Sequence, residues 1–232
     1  MAATVFNRLI ECLPKDLQDS LRPKLEPVSL PAGTFLYRAG ETPKYGHFMT
    51  SGLASVVTSM VDGGSAEVGI WGREGLVESM HLLGPAKVPN NCFIQVGGTA
   101  LRTRFSDLQE LFLGSEPFRK AVLELIQVQG LALGQLAACN RLHEAEERLA
   151  RWLLMVGDRV GGDSFSLTQE FLADMLGARR TTVTLAAGAL QKSGLINYHR
   201  GHIRILDRES LQGAACECYQ TVRALGFGSH CD

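Results

Sequence analysis

The sequence lacks most of what a catalyst, a membrane protein or a secreted scaffold would need. No carboxylate pair, activated nucleophile or phosphate-binding glycine loop stands at a usable spacing, so the chain offers nothing on which to build an enzymatic reaction. Its six cysteines, Cys12, Cys92, Cys139, Cys216, Cys218 and Cys231, are scattered without a Cys-x-x-Cys pair, and the Met1 to Leu21 region does not read as a signal peptide. Reduced thiols and a cytoplasmic location are therefore expected. No apolar run approaches the roughly 20 residues needed to cross a bilayer, because Gln127, Gln129 and Gln135 interrupt the longest candidate. Overall charge carries no message either, since 23 Lys and Arg stand against 24 Asp and Glu.

One absence is local and informative. From Ala178 through Leu206 there is no acidic residue, while Arg179, Arg180, Lys192, Arg200 and Arg204 are basic. The acids Glu144, Glu146, Glu147, Asp158, Asp163, Glu170 and Asp174 precede that stretch, which leaves a positive field at one end of the region. Its patterning is that of two helices and a turn. Thr168 is a candidate N-cap for a helix with Phe171, Leu172, Met175 and Leu176 on one face, and Gly177 ends it. A second helix buries Val183, Ala186, Ala187 and Leu190, with Arg179, Arg180, Thr181, Thr182 and Thr184 at or near its exposed N-terminal end. Such a pair can place its second helix in a DNA major groove. Leu195 to Leu206 reads as a hairpin with its tip near Arg200-Gly201, a wing. Three helices with a strand pair also suit a protein-interaction module, so the fold by itself does not decide.

The 232 residues, 45% hydrophobic, can fill two modest cores. Short helices are expected up to about residue 25, around Phe6, Leu9, Ile10, Leu13 and Leu17. Seven short period-two segments follow, from Val28-Ser-Leu30 to Leu101-Arg-Thr-Arg-Phe105, punctuated by glycine, and they argue for a β-roll or jelly roll. Ser115 and Pro117 then open a long helix. Phe118, Val122, Leu125, Gln129, Ala132 and Leu136 make a heptad seam continued by Cys139, while Ile126, Leu133 and Ala137 form a second apolar stripe. Two apolar faces need two partners: the roll for one, and for the other a second copy of the helix, unless the helix is wholly buried in one chain. His143 to Val160 supplies a further amphipathic helix, and beyond Asp207 a last helix precedes an unstructured end from Gly226 to Asp232. Cys216 and Cys218, two apart, would diverge on a helix, so no metal site is expected.

Thr168-Gln-Glu through Gly177, Arg179-Arg-Thr-Thr-Val183 and Leu190-Gln-Lys-Ser-Gly-Leu-Ile196 resemble the winged helix-turn-helix of the Crp/Fnr family of bacterial transcription regulators. Pro31-Ala-Gly-Thr-Phe-Leu36, Ala39-Gly-Glu41, His47-Phe-Met-Thr-Ser-Gly52 and Gly72-Arg-Glu-Gly75 are similar to that family's effector-binding roll. The resemblance implies an α+β chain with an effector-sensing β-roll at 1–114, a dimerisation helix at 115–142, a winged helix-turn-helix at 143–212 and a C-terminal helix and tail at 213–232. It implies a homodimer on a pseudo-palindromic double-stranded operator, with RNA polymerase as a further partner. The alternative is a ligand-binding dimerisation module without DNA binding.

Arg180 matches the family's guanine-reading arginine, whereas Thr181 and Leu185 stand where other members have glutamate and a second arginine. Thr168, Gln169, Thr182, Lys192 and Arg200 are expected on phosphates. Gly72, Glu74, Gly75, Leu76 and Lys87 mark the effector pocket. The family's phosphate-binding arginine and adjoining hydroxyl are missing from Pro85-Ala-Lys-Val-Pro-Asn-Asn91, so cyclic AMP is not the expected effector and the cofactor stays open. Of the family's cysteine-held iron–sulfur cluster, only Cys12 lies in the corresponding N-terminal region; His47 and His81 could carry a haem.

Overall fold

The computed structural model describes residues 7–61, 63–84 and 87–225. Phe6 and the tail from Gly226 to Asp232 therefore lie outside the described residues. Two helices, α1 (Arg8–Glu11) and α2 (Lys15–Leu21), lead into strands β1 (Glu26–Leu30), β2 (Phe35–Tyr37), β3 (Tyr45–Met49), β4 (Leu53–Ser59), β5 (Ser65–Trp71), β6 (Asn91–Val96) and β7 (Gly98–Arg104). Each of the seven period-two segments forms a strand, because alternation lets one face bury while the other stays wet. They make two sheets, ordered β1-β7-β3 and β2-β6-β4-β5. Between and around them lies a core that includes Phe48, Leu76, Ile94 and Leu108. Mixed helices and antiparallel sheets make the chain α+β, as expected.

A helix unforeseen in the sequence, α3 (Phe105–Gly114), follows β7 directly. Phe105 completes the alternation of the preceding strand, so the change of period is hidden until Leu108 and Phe112 turn inward on one helical face.

The long helix α4 (Glu116–Leu142) starts one residue before Pro117, with the Phe118 N–H donating to Ser115 Oγ at 3.4 Å. Its heptad seam faces its own chain. Phe118, Val122 and Leu125 belong to the roll core, and Gln129 and Ala132 are also buried. Leu136 is half-buried. Phe118, Val122, Leu125, Gln129 and Ala132 are therefore not free to meet a second copy, a correction to their placement as dimer contacts, because the chain's own interior covers them; Leu136 keeps part of its surface exposed. Of the second stripe, Ile126 packs against the roll core while Leu133 and Ala137 are exposed; Leu123 and Leu131 are exposed as well, beside Gly130 and Gly134, neither of which would bring a Cβ within 4 Å of another atom. By length and composition α4 reaches what a bilayer crossing requires, despite its glutamines. Protein packing instead occupies Phe118 and Val122 near one end and Cys139 near the other, all fully buried.

The chain divides into two compact units, the second comprising residues 57–68 and 131–225. In it follow α5 (Ala145–Val160), β8 (Ser164–Ser166), α6 (Gln169–Leu176), α7 (Arg180–Lys192), β9 (Ile196–His199), β10 (His202–Ile205), α8 (Arg208–Ala214) and α9 (Cys218–Ala224). A reciprocal capping box between Glu144 and Glu147 starts α5, and left-handed Gly161 ends it. Leu149, Leu153 and Val156 are fully buried along α5, and Trp152 Nε1 donates to Glu67 at 2.7 Å. The wing is a three-stranded sheet ordered β8-β10-β9, one strand more than the sequence suggested, and the C-terminal region holds two helices where one was expected.

Candidate nucleic-acid interface

Helices α6 and α7 are set by the turn between them. Thr168 caps α6, its Oγ1 accepting the Phe171 N–H at 3.1 Å, a bond worth about 1 kcal/mol. Gly177 closes the helix at φ 55, a left-handed conformation that costs glycine nothing and most residues about 1–2 kcal/mol. The chain then starts α7 three residues later, at Arg180. Val183, Ala186, Ala187 and Leu190 anchor α7 on its buried side, so Arg180, Thr181, Thr184 and Leu185 are exposed opposite them.

The N-terminus of α7 has no side-chain cap and no acid in its first turn. Its free N–H groups and dipole, with exposed Arg179 and Arg180 beside them, constitute a positively polarised end aimed at solvent. Four acids of the unit are engaged elsewhere. Glu144 and Glu147 cap α5, and Arg208 pairs with both Asp158 and Asp163. Tyr198 ties the wing to the helices, its hydroxyl donating to the Leu167 carbonyl at 2.9 Å and its N–H to Gln191 Oε1. Burial pushes the Tyr198 phenol above its usual range, with Arg180 pulling it the other way.

Thr168, Arg179, Arg180, Thr181, Lys192 and Arg200 are exposed and Thr182 half-buried. Thr184 differs from its expected role: its hydroxyl points at Gln169 Oε1 at 3.0 Å and at the Arg180 carbonyl at 2.9 Å. It thus joins α6 to α7, and its single proton is engaged inside the motif. Leu185, 76% exposed on the same face as Arg180 and Thr181, enters the site as an apolar group.

The wing turn is tight. His199 pairs with His202, leaving Arg200 at φ 48 and Gly201 at φ 80 as the two central residues of a type I′ turn. Arg200 is a non-glycine residue held in a conformation that usually signals a constraint beyond folding. Arg200→Asn should raise thermal stability, by up to about 1 kcal/mol, because asparagine tolerates that conformation better. A lower melting temperature for the variant would show that the arginine's packing outweighs its strain.

In the roll, Glu74 turns back on its own loop, its carboxylate accepting the Gly72 N–H at 3.0 Å. Gly75 is required sterically, since a Cβ there would lie 2.7 Å from Leu125 and 2.9 Å from Trp71. Leu76 is fully buried and bridges to Phe48, so Gly75 and Leu76 serve the core, while Lys87 is exposed. The residue that sequence reasoning passed over is Glu78. Fully buried, it accepts the His47 N–H at 2.7 Å and meets His47 Nδ1 at 2.8 Å. Burial lowers the His81 pKa and raises those of Tyr37 and Cys92 around this carboxylate. His81 packs edge-on against Tyr37 at 4.4 Å, buried with neither ring nitrogen hydrogen-bonded, while His47 commits its Nδ1 to Glu78.

The divergence expected of Cys216 and Cys218 does not occur. Ala215 is extended at the end of α8 and Cys218 opens α9, so the helical angle between them never applies.

Comparison with known proteins matches both halves. Residues 27–115 fit the cyclic nucleotide-binding domain and residues 147–214 the Crp-like helix-turn-helix domain. No curated protein sequence gives a match. Among solved structures, a protein of Eubacterium rectale described as a transcriptional regulator of the Crp/Fnr family superposes with a TM-score of 0.68 at 18% identity, over 88% of this chain and 97% of that one. The c-di-GMP-responsive global regulator CLP of Xanthomonas campestris gives 0.68 at 16% identity, over 84% and 100%. FixK2 of Bradyrhizobium japonicum gives 0.66 at 17%, over 83% and 98%. A cyclic nucleotide-binding-type roll followed by a Crp-like helix-turn-helix is the domain pair of a transcription regulator rather than an enzyme. The chain belongs to the Crp/Fnr family of transcription regulators.

Proposed function

We propose that the protein is a cytoplasmic homodimer that binds a pseudo-palindromic operator through α7 and the wing, under control of an effector held by the roll. The observation that carries this is the uncapped, acid-free N-terminus of α7 with Arg179, Arg180 and Thr181 exposed around it. A phosphate or base edge is the natural partner for such an end. Arg180 reads a guanine by two parallel hydrogen bonds, and Leu185 offers its apolar surface to a thymine methyl. Thr168 stays available to phosphate as well as capping, because its oxygen accepts from the helix and its proton remains free to donate. Lys192 and Arg200 contact the backbone from the helix end and the wing. Gln169, oriented by Thr184, and Thr182 flank them.

The roll senses a ligand other than cyclic AMP, since Lys87 lacks the planar fork of arginine and Glu74 is turned to its own backbone. Dimerisation uses the exposed α4 stripe around Leu123, Gly130, Leu131 and Gly134 rather than the buried seam. Each glycine costs the helix about 1 kcal/mol relative to alanine, and close approach of a second helix offsets that cost. RNA polymerase is a further partner of the DNA-bound dimer. The proposal is tested by binding to random DNA and to an operator obtained by selection, across salt concentrations. Affinity should fall steeply with salt, and Lys192→Ala and Arg200→Ala should each reduce the slope by about one unit per lost phosphate contact, on both duplexes. A protein that dimerises yet ignores DNA at low salt would instead be a ligand-binding dimerisation module.

A further inference from the structure

Cys139, His143, Cys216 and Cys218 converge in the second unit, their ligand atoms all within 4.8 Å of one another. Cys139 sits in the last turn of α4, and the His143 N–H still bonds to the Cys139 carbonyl at 3.0 Å, which keeps the two side chains on one helical face. The α8–α9 junction brings the other two thiols against them. Cys139 Sγ lies 3.4 Å from Cys216 Sγ, and Cys218 Sγ lies 3.6 Å from His143 Nδ1. The three cysteines are buried and form a small cluster of their own.

We propose that these four side chains form a mononuclear tetrahedral metal site of Cys3His type, best suited to zinc(II). Three thiolate sulfurs and an imidazole nitrogen are the soft donors that zinc takes in closed structural sites. A tetrahedron built on a Zn–S length near 2.3 Å has edges of about 3.8 Å, close to the 3.4 Å of the Cys139–Cys216 pair and the 3.6 Å of the Cys218–His143 pair. An iron–sulfur cluster places several atoms between its cysteine ligands and needs them farther apart.

The surroundings fit an ion as well as the ligands do. His143 turns Nδ1 to the thiols and Nε2 to Glu217, 3.2 Å away, the carboxylate–histidine–metal relation that fixes the tautomer and orients the ring. Gln135 Nε2 donates to Cys218 Sγ at 3.0 Å. Arg151 is only 4% exposed, its Nε finds no hydrogen-bond partner, and its charge acts on Cys139 and Cys216. A divalent ion with three thiolates carries one net negative charge, which matches this buried guanidinium; three neutral thiols leave it uncompensated. Binding releases three thiol protons, and no electrons are transferred. The ion ties the end of α4 to the C-terminal helices beside the linker from which α5 starts.

The test uses the full-length protein, purified under reducing conditions without chelator. Elemental analysis should find one zinc per chain. Metal-stripped protein titrated with cobalt(II) should develop thiolate charge-transfer absorption and the strong visible bands of a tetrahedral site, saturating at one equivalent. Cys139→Ser and Cys216→Ser should lose that spectrum, and Glu217→Gln should keep it while weakening the metal by about 10- to 100-fold. The titration of the wild-type chain needs no variant to fold. A folded, reduced wild-type protein that binds cobalt without thiolate absorption overturns the proposal. So does an iron–sulfur chromophore, or a Cys139–Cys216 disulfide in place of any ion.

Discussion

Arg180→Ala should lower affinity for the selected operator by about 1–3 kcal/mol for each half-site guanine while leaving binding to scrambled DNA nearly unchanged. The asymmetry follows from position. Arg180 is the first residue of α7, exposed at the end of a helix whose buried face holds it rigidly through Val183, Ala186 and Leu190. Its guanidinium meets no acid in the helix's first turn, so its donors remain available for a base. In a symmetric dimer the loss is counted twice, and the variant should relax preference at the same guanine in both half-sites. Competition binding against operators substituted at one base pair at a time measures this. Equal losses on operator and scrambled duplex would make Arg180 a phosphate contact and turn attention to Arg179 or Thr181 as the base reader.

Leu123→Glu combined with Leu131→Glu should convert the protein to a folded monomer with operator binding reduced by orders of magnitude. Both leucines are exposed on α4, at 46% and 53%, so neither change disturbs a core within one chain. Four carboxylates then face one another across the helix pair, and two half-sites about 34 Å apart can no longer be gripped together. Leu125→Glu is the informative contrast: buried at 9% in the roll core, it should unfold the first unit rather than merely separate two chains. Sedimentation and circular dichroism on both variants distinguish the outcomes. A double variant that stays dimeric would place the interface elsewhere than on this stripe.

Local chemistry was readable directly. The seven strands, the Gly177 turn, the Thr168 cap and the Arg200-Gly201 tip depend on side-chain alternation and on residues within a few positions of one another. The α3 helix escaped because Phe105 continues the strand pattern, and β8 because three residues carry too little periodicity.

By itself the sequence determined the succession of the seven strands, the long helix and the helix-turn-helix, the α+β class and the basic, acid-free N-terminal end of α7, because each is set by composition and by spacing along the chain. Only the tertiary structure decided which apolar stripe of α4 turns inward, since two stripes of similar period are distinguished by what packs against them and not by their own pattern. It alone placed Glu78 on His47 across 31 residues of sequence, and Cys139 on Cys216 across 77. Such pairings depend on how sheets and helices close in three dimensions, and no local periodicity records where a distant segment returns.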